Sequence, residues 1–270
     1  MVSHAFGNES EEELDTLRRL DRELGRLLIA LDALAAAEPK GRVVLALSAD
    51  HGFTPLPEVV RRNGGKRIGG RLQSMDSGAE TPYPNTQERL NRALSDALCL
   101  PRGSQPIYGI EGWTVAYDRS VFPAQTVEGP CGDAGRPVTL ADLDRVFPEV
   151  VRRLYGEEIE DVLLISQRDR WPADGAAVSF AGNDFDAQRS GDAFLVPREY
   201  VLMHWDPERG SGHGSHHEYD THVPVLFWGA PFAAKETDEA CAPYDLAPTL
   251  ADVLGFRLPE ATGTSHVPRR

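Results

Sequence analysis

The chain has 270 residues, 41% hydrophobic and 26% charged. That is enough apolar material for a core and excludes wholesale disorder, and the length fits one large domain or a core with an insertion. The net charge of -14 leaves no excess of Lys and Arg to neutralise a phosphate backbone, which excludes nucleic acid as a non-specific partner.

Leu14, Leu17, Leu20, Leu24, Leu27, Leu28, Leu31 and Leu34 recur every three or four residues, which predicts an amphipathic helix over about 11–37, stopped by Pro39 and Gly41. The apolar run Val43 to Leu47 then reads as a strand buried on both faces, as in a parallel sheet. Ser48, Ala49, Asp50, His51 and Gly52 follow it directly, at the strand end where open α/β sheets place ligands. From Phe53 to about Ser190, Gly, Pro and Arg become frequent, as in an insertion or cap with its own small core. Helices are predicted there after Asn85 and after Thr139, the second kinked or split at Pro148. Short strands are predicted near Trp113–Tyr117 and Val162–Ser166. The core pattern resumes with strands at Ala193–Val196 and Val223–Trp228, and ends in a helix containing Leu246, Leu250 and Leu254, closed by Gly255.

No apolar run approaches the roughly 20 residues that span a bilayer, so no membrane partner is expected. Met1 to Ser10 is polar and has no signal-peptide core. Cys99, Cys131 and Cys241 show no zinc-finger spacing; a Cys99–Cys131 disulfide is conceivable, and three thiols is the preferred reading.

Three stretches carry candidate chemistry. Asp50 and His51 offer a carboxylate and an imidazole, ordinary zinc ligands, to one divalent cation. Alone, the dipeptide fits a helix cap beside a surface histidine as well. Residues 212–222 hold four histidines, His213, His216, His217 and His222, directly before a strand. Glycines flank His213, so the backbone can bend the ring toward a cation; a solvated loop fits the spacing equally. His4, before Gly7 and the long helix, means nothing by itself. Asn183, Asp184 and Asp186 lack the Gly and terminal Glu of a calcium loop and read as a solvated turn. Ser48 and Thr54 flank Asp50.

Taken together these stretches resemble the alkaline phosphatase superfamily, in particular its type I phosphodiesterase and phosphate-irrepressible branches. There, a segment Asp-x-x-x-His-x-Phe-Gly precedes a long Leu- and Asp-rich helix; here Val2 to Gly7 matches it. Ser48 to Gly52 matches the family's strand end. His213-Gly214, Tyr219 to Pro224 and Val225 to Gly229 match its His-Gly loop and the strand that follows, and Asp245 to Leu250 its closing helix.

The resemblance implies an α/β, three-layer α/β/α sandwich, truncated at the N-terminus, with residues 1–52 and 191–270 as a partial metal-binding core and 53–190 as an inserted α+β cap. It implies a metal-dependent phosphoric ester hydrolase acting on a small phosphomonoester or phosphodiester. Two divalent ions, zinc above all, would be held by His4 and His213 on one side and Asp50 and His51 on the other. His216, His217 and His222 fall off the ligand positions. The family's remaining aspartates and its Ser/Thr nucleophile match no residue here, and neither Ser48 nor Thr54 sits at the nucleophile position. No catalytic residue is therefore assigned. The resemblance predicts weakly held zinc, little turnover from this chain alone and exposed apolar sheet edges, with an upstream chain able to complete the fold. The alternative is an inactive fragment or pseudoenzyme that binds a partner. Relatives in the family are often periplasmic or secreted; this sequence leaves the compartment open.

Overall fold

The computed structural model describes residues 2–37, 43–64, 69–73, 85–122, 136–204, 206 and 210–267. In chain order the elements are α1 (Val2–Phe6), α2 (Glu11–Ala37), β1 (Val44–Ser48), α3 (Pro57–Gly64), β2 (Gly70–Gln73), α4 (Thr86–Ala97), β3 (Ile107–Glu111), β4 (Thr114–Tyr117), α5 (Leu140–Tyr155), β5 (Ile159–Leu164), α6 (Ala176–Asn183), β6 (Ala193–Pro197), β7 (Val201–His204), α7 (Glu218–Thr221), β8 (Val225–Gly229) and α8 (Leu246–Leu254). The mixture of helices and sheets is the α/β class expected. The chain divides into two compact units, one of Met1–Ser10 with Phe53–Thr221 and the other of Glu11–Gly52 with His222–Arg270. The stretch 53–190 lies wholly in the first unit, together with 1–10 and 191–221.

The first unit is built on a four-stranded antiparallel sheet in the order β3-β4-β6-β5, in register at Val115↔Ala193 and Leu163↔Phe194. Val115, Ala193 and Leu195 are buried in it, and α4 and α5 supply Leu90, Leu94, Leu143 and Phe147 to the same core. Both helices start where their caps dictate. Asn85 accepts from the Glu88 N–H at 2.9 Å while Glu88 accepts from the Asn85 N–H at 3.2 Å, a reciprocal capping box that satisfies two otherwise orphaned donors. Thr139 and Asp142 do the same for α5. Arg136 adds two parallel hydrogen bonds of 2.8 Å to Asp142, and that guanidinium above all holds the carboxyl well below its usual range.

Helix α5 continues through Pro148 as one element, so of the expected kink or split the split is not found. A proline removes one backbone donor, and here Phe147, Val150 and Val151 on either side are buried, so packing carries the helix past it. Buried Asn91 ties α4 to β3, donating to the Ile107 carbonyl at 3.2 Å and accepting from its N–H at 2.7 Å. A second sheet pairs β2 with β7 in parallel, Gly70↔Val201 to Gln73↔His204. The 165–170 stretch, expected to begin inside a strand, is a 3-10 turn. Cys99 is disulfide-bonded and Cys241 is a free thiol, which overturns the preferred reading of three thiols. Cys131, Pro39 and Gly41 lie outside the described residues.

In the second unit, β1 pairs antiparallel with β8, from Val44↔Gly229 to Ser48↔Val225, and is half-buried along its length. The expectation of a parallel strand buried on both faces is therefore corrected. An apolar run reports hydrophobicity but cannot specify strand direction or what covers each face. Helix α2 has the predicted bounds but no buried residue; Leu14, Leu17, Leu20 and Leu34 are 47%, 51%, 52% and 50% exposed. Helix α8 packs on β1 and buries Ala251 and Val253. It ends at Gly255, in the left-handed region at φ 83°, where the Gly255 and Phe256 N–H groups return to the Ala251 carbonyl at 2.9 and 3.1 Å. No helix among the described residues is long and apolar enough to cross a membrane.

Candidate metal centre

Within the first unit the backbone zips His4 to the loop that carries His213. The His4 Nδ1 lies 3.0 Å from the Ser211 carbonyl, and the Ser211 N–H donates to the His4 carbonyl at 3.2 Å. A carbonyl can only accept, so the His4 proton sits on Nδ1 and the lone pair on Nε2, the tautomer that can ligate a metal. The approach requires glycine at 210. Its φ is +72°, and a Cβ there would stand 1.9 Å from the His4 carbonyl oxygen. The His4 and His213 rings are brought to 5.2 Å between centres, inclined at 59°. Two imidazoles on one tetrahedral zinc, with Zn–N of about 2.0–2.1 Å, have ring centres roughly 5 Å apart. Phe53 sets its ring edge-to-face with both, at 4.9 Å from His4 and 5.5 Å from His213. Phe53 thus lays an apolar surface beside both rings.

Beneath the loop lies a buried polar network. Asp220, 3% exposed, accepts from the Ser215 N–H at 2.8 Å, from the Ser215 hydroxyl at 2.5 Å and from the Thr54 hydroxyl at 3.2 Å. Burial raises the Asp220 pKa above the ordinary carboxylate value, and the bonds from Ser215 and Thr54 oppose that shift. The Thr54 N–H donates to the Gly212 carbonyl at 2.9 Å, and the Ser211 hydroxyl to the Thr54 carbonyl at 2.5 Å. The residues on either side of His213 are thus fixed to 54 and to α7. Thr54 has a structural part in this.

The second pair belongs to the other unit, directly after β1. The His51 N–H donates to Asp50 Oδ1 at 3.1 Å, and His51 Nδ1 donates to the Gly52 carbonyl at 2.8 Å, again leaving the lone pair on Nε2. That nitrogen lies 3.5 Å from Asp50 Oδ2, close to the roughly 3.3 Å that separates two ligand atoms on one tetrahedral zinc. The first pair thus presents imidazole nitrogens and the second an imidazole nitrogen with a carboxylate oxygen, donors that zinc takes, and backbone carbonyls orient His4 and His51.

The other histidines do other work. His217 donates from Nε2 to the Pro197 carbonyl at 3.0 Å and stacks on His216 at 4.1 Å, while His222 is exposed. Asp186 accepts from the N–H groups of Gln188 and Arg189 at 2.9 and 3.1 Å, an Asx-type turn where the sequence suggested a solvated one. Phe53 and Ser211 took no part in the sequence reading. Their roles are tertiary contacts with His4, which no local pattern announces.

A model of the type I phosphodiesterase / nucleotide pyrophosphatase family matches residues 1–89, the stretch that holds His4, Asp50 and His51. Alkaline phosphatase PhoV of Synechococcus elongatus is 25% identical over 97% of this chain and 41% of its own length. Alkaline phosphatase PafA of Elizabethkingia meningoseptica is 26% identical over 96% of this chain and 41% of its own. The chain is similar to the alkaline phosphatase superfamily in both comparisons. The fold agrees. The crystal structure of wild-type alkaline phosphatase PafA superposes with a TM-score of 0.73 at 22% identity, over 98% of this chain and 45% of that one. The superfamily resemblance read from Val2–Gly7, Ser48–Gly52 and the His213 loop is borne out, and the chain spans about two-fifths of the length of the curated relatives it matches.

Proposed function

We propose that this chain contributes divalent-metal ligands to a phosphoric ester hydrolase, with His4 and His213 of the first unit holding one ion and Asp50 and His51 of the second unit holding another. Zinc suits the donors best, because imidazole nitrogen and carboxylate oxygen are its ordinary ligands. When bound, such ions supply positive charge that stabilises a phosphoryl group during displacement. That charge also offsets the net charge of -14, which would otherwise repel a phosphate ester. The chain's own residues do the positioning. Ser211 and Gly52 fix the His4 and His51 tautomers through their carbonyls, Phe53 flanks both rings of the first pair, and the Asp220 network sets the His213 loop. None of the described residues is assigned as nucleophile. The observation that carries the reading is the His4–His213 pairing, at a ring separation suited to one shared ion.

The half-exposed leucine face of α2 favours a second reading, a catalytically silent fragment that binds a partner. Nitrophenyl phosphate and bis-nitrophenyl phosphate assays on the purified chain, with and without zinc, separate the two. Zinc-dependent turnover that falls roughly 10-fold or more in His213→Ala, and not in His216→Ala, supports the hydrolase. No zinc binding and no turnover would sink it.

A further inference from the structure

A second donor cluster lies in the unit of Glu11–Gly52 with His222–Arg270, outside the residues assigned to the two metal pairs above. Asp245 ends a 3-10 turn at the start of α8 and is 5% exposed. Its Oδ1 accepts from the Thr264 N–H at 2.7 Å, and its Oδ2 from the Ala242 N–H at 2.9 Å and from His266 Nε2 at 2.9 Å. The His266 N–H in turn donates to the Thr249 hydroxyl at 3.0 Å. Gly263 sits so close that a Cβ would come 2.4 Å from the Tyr244 carbonyl. The 263–266 segment and the start of α8 are therefore a rigid frame. Onto that frame Cys241 projects a free, exposed thiol.

One ligand atom from each of Cys241, Asp245 and His266 lies within 4.8 Å of the other two, which no other set of three among the described residues achieves. A plain His–Asp ion pair would explain two of the three residues but not the thiol beside them. Sulfur, nitrogen and oxygen together are a donor set for a borderline-soft ion, and Cys/His/Asp combinations on zinc typically leave a position for water. Ligand atoms on one zinc are roughly 3.3–3.7 Å apart, and the exposed Cys241 side chain is the one free to adjust.

We propose that Cys241, Asp245 and His266 bind one zinc-class cation that clips the 263–266 segment to the start of α8. Binding expels the Cys241 thiol proton to solvent, and the ion replaces the proton shared between His266 Nε2 and Asp245, with His266 shifting to its Nδ1–H tautomer. The assignment is independent of the hydrolase reading, whose assigned ligands include no thiol.

The test uses the full chain and zinc itself. Iodoacetamide labelling of Cys241, mapped by mass spectrometry, is expected to slow at least about tenfold with zinc, because a coordinated thiolate is no longer available to react. Protection should persist in His213→Ala and vanish in His266→Ala. Cobalt should give a thiolate-to-metal charge-transfer band that Cys241→Ser removes. Unchanged labelling of the unaltered chain in zinc overturns the site whatever the variants do, and so does protection that survives His266→Ala in a chain with unaltered circular dichroism.

Discussion

Replacing Asp220 tests whether the His213 loop is held by the buried network. In Asp220→Ala the Ser215 N–H, the Ser215 hydroxyl and the Thr54 hydroxyl lose their acceptor inside the first unit. The N–H cannot turn elsewhere, and an orphaned buried donor costs about 1–3 kcal/mol; the two hydroxyls can rotate and cost about 1 kcal/mol each. The expected loss is about 3–5 kcal/mol, large beside the roughly 5–15 kcal/mol that stabilises a domain. Asp220→Asn keeps an acceptor oxygen for the Ser215 N–H. Burial already disfavours the charged form of Asp220, so the uncharged isostere should lose less than half as much. Urea unfolding followed by tryptophan fluorescence at constant m reads both values. A loss under about 1 kcal/mol for the alanine variant, or equal losses for the two, would refute the role given to the carboxylate.

Gly210→Ala forces a side chain into the left-handed region and against the His4 carbonyl. It should cost at least about 2 kcal/mol in the same urea assay and weaken zinc binding as His4 is displaced. The pH profile of stability should bend in acid. Asp142 is held below its ordinary value by Arg136, so its stabilising contribution is complete above about pH 4 and is lost as pH falls towards the lower folded-state value. Asp142→Asn should flatten that limb of the urea midpoint against pH, and an unchanged slope would count against the Arg136 pairing.

The sequence carried the long helices well because their causes are local. Leucines at three- and four-residue spacing set α2 at 11–37, and Asn85 and Thr139 marked the caps of α4 and α5. It missed β2, whose Gly70, Arg71, Leu72 and Gln73 have neither alternation nor β-branched residues and become a strand by pairing with β7. It also missed β3, where Asn91 satisfies the Ile107 backbone from a distant helix. The direction of β1 was misjudged because apolar content does not encode a partner, and β8 lies far along the chain. The candidate ligands His4, Asp50, His51 and His213 were named from motif order, and the structure brings the His4 and His213 rings to 5.2 Å. Phe53, Ser211 and the Asp220 network were not legible, because their contacts with His4 and Thr54 join residues far apart in the chain and leave no periodic trace.

The pairing of His4 with His213 is tested most directly by a double-mutant cycle on zinc affinity, made in a Cys241→Ser background so that the second cluster does not contribute. If both rings ligate one ion, His4→Ala and His213→Ala each weaken binding, and the double variant is scarcely weaker than either single one, because the shared site is already lost. Losses that add in full would mean that the two histidines serve separate ions or none, and would contradict the shared centre.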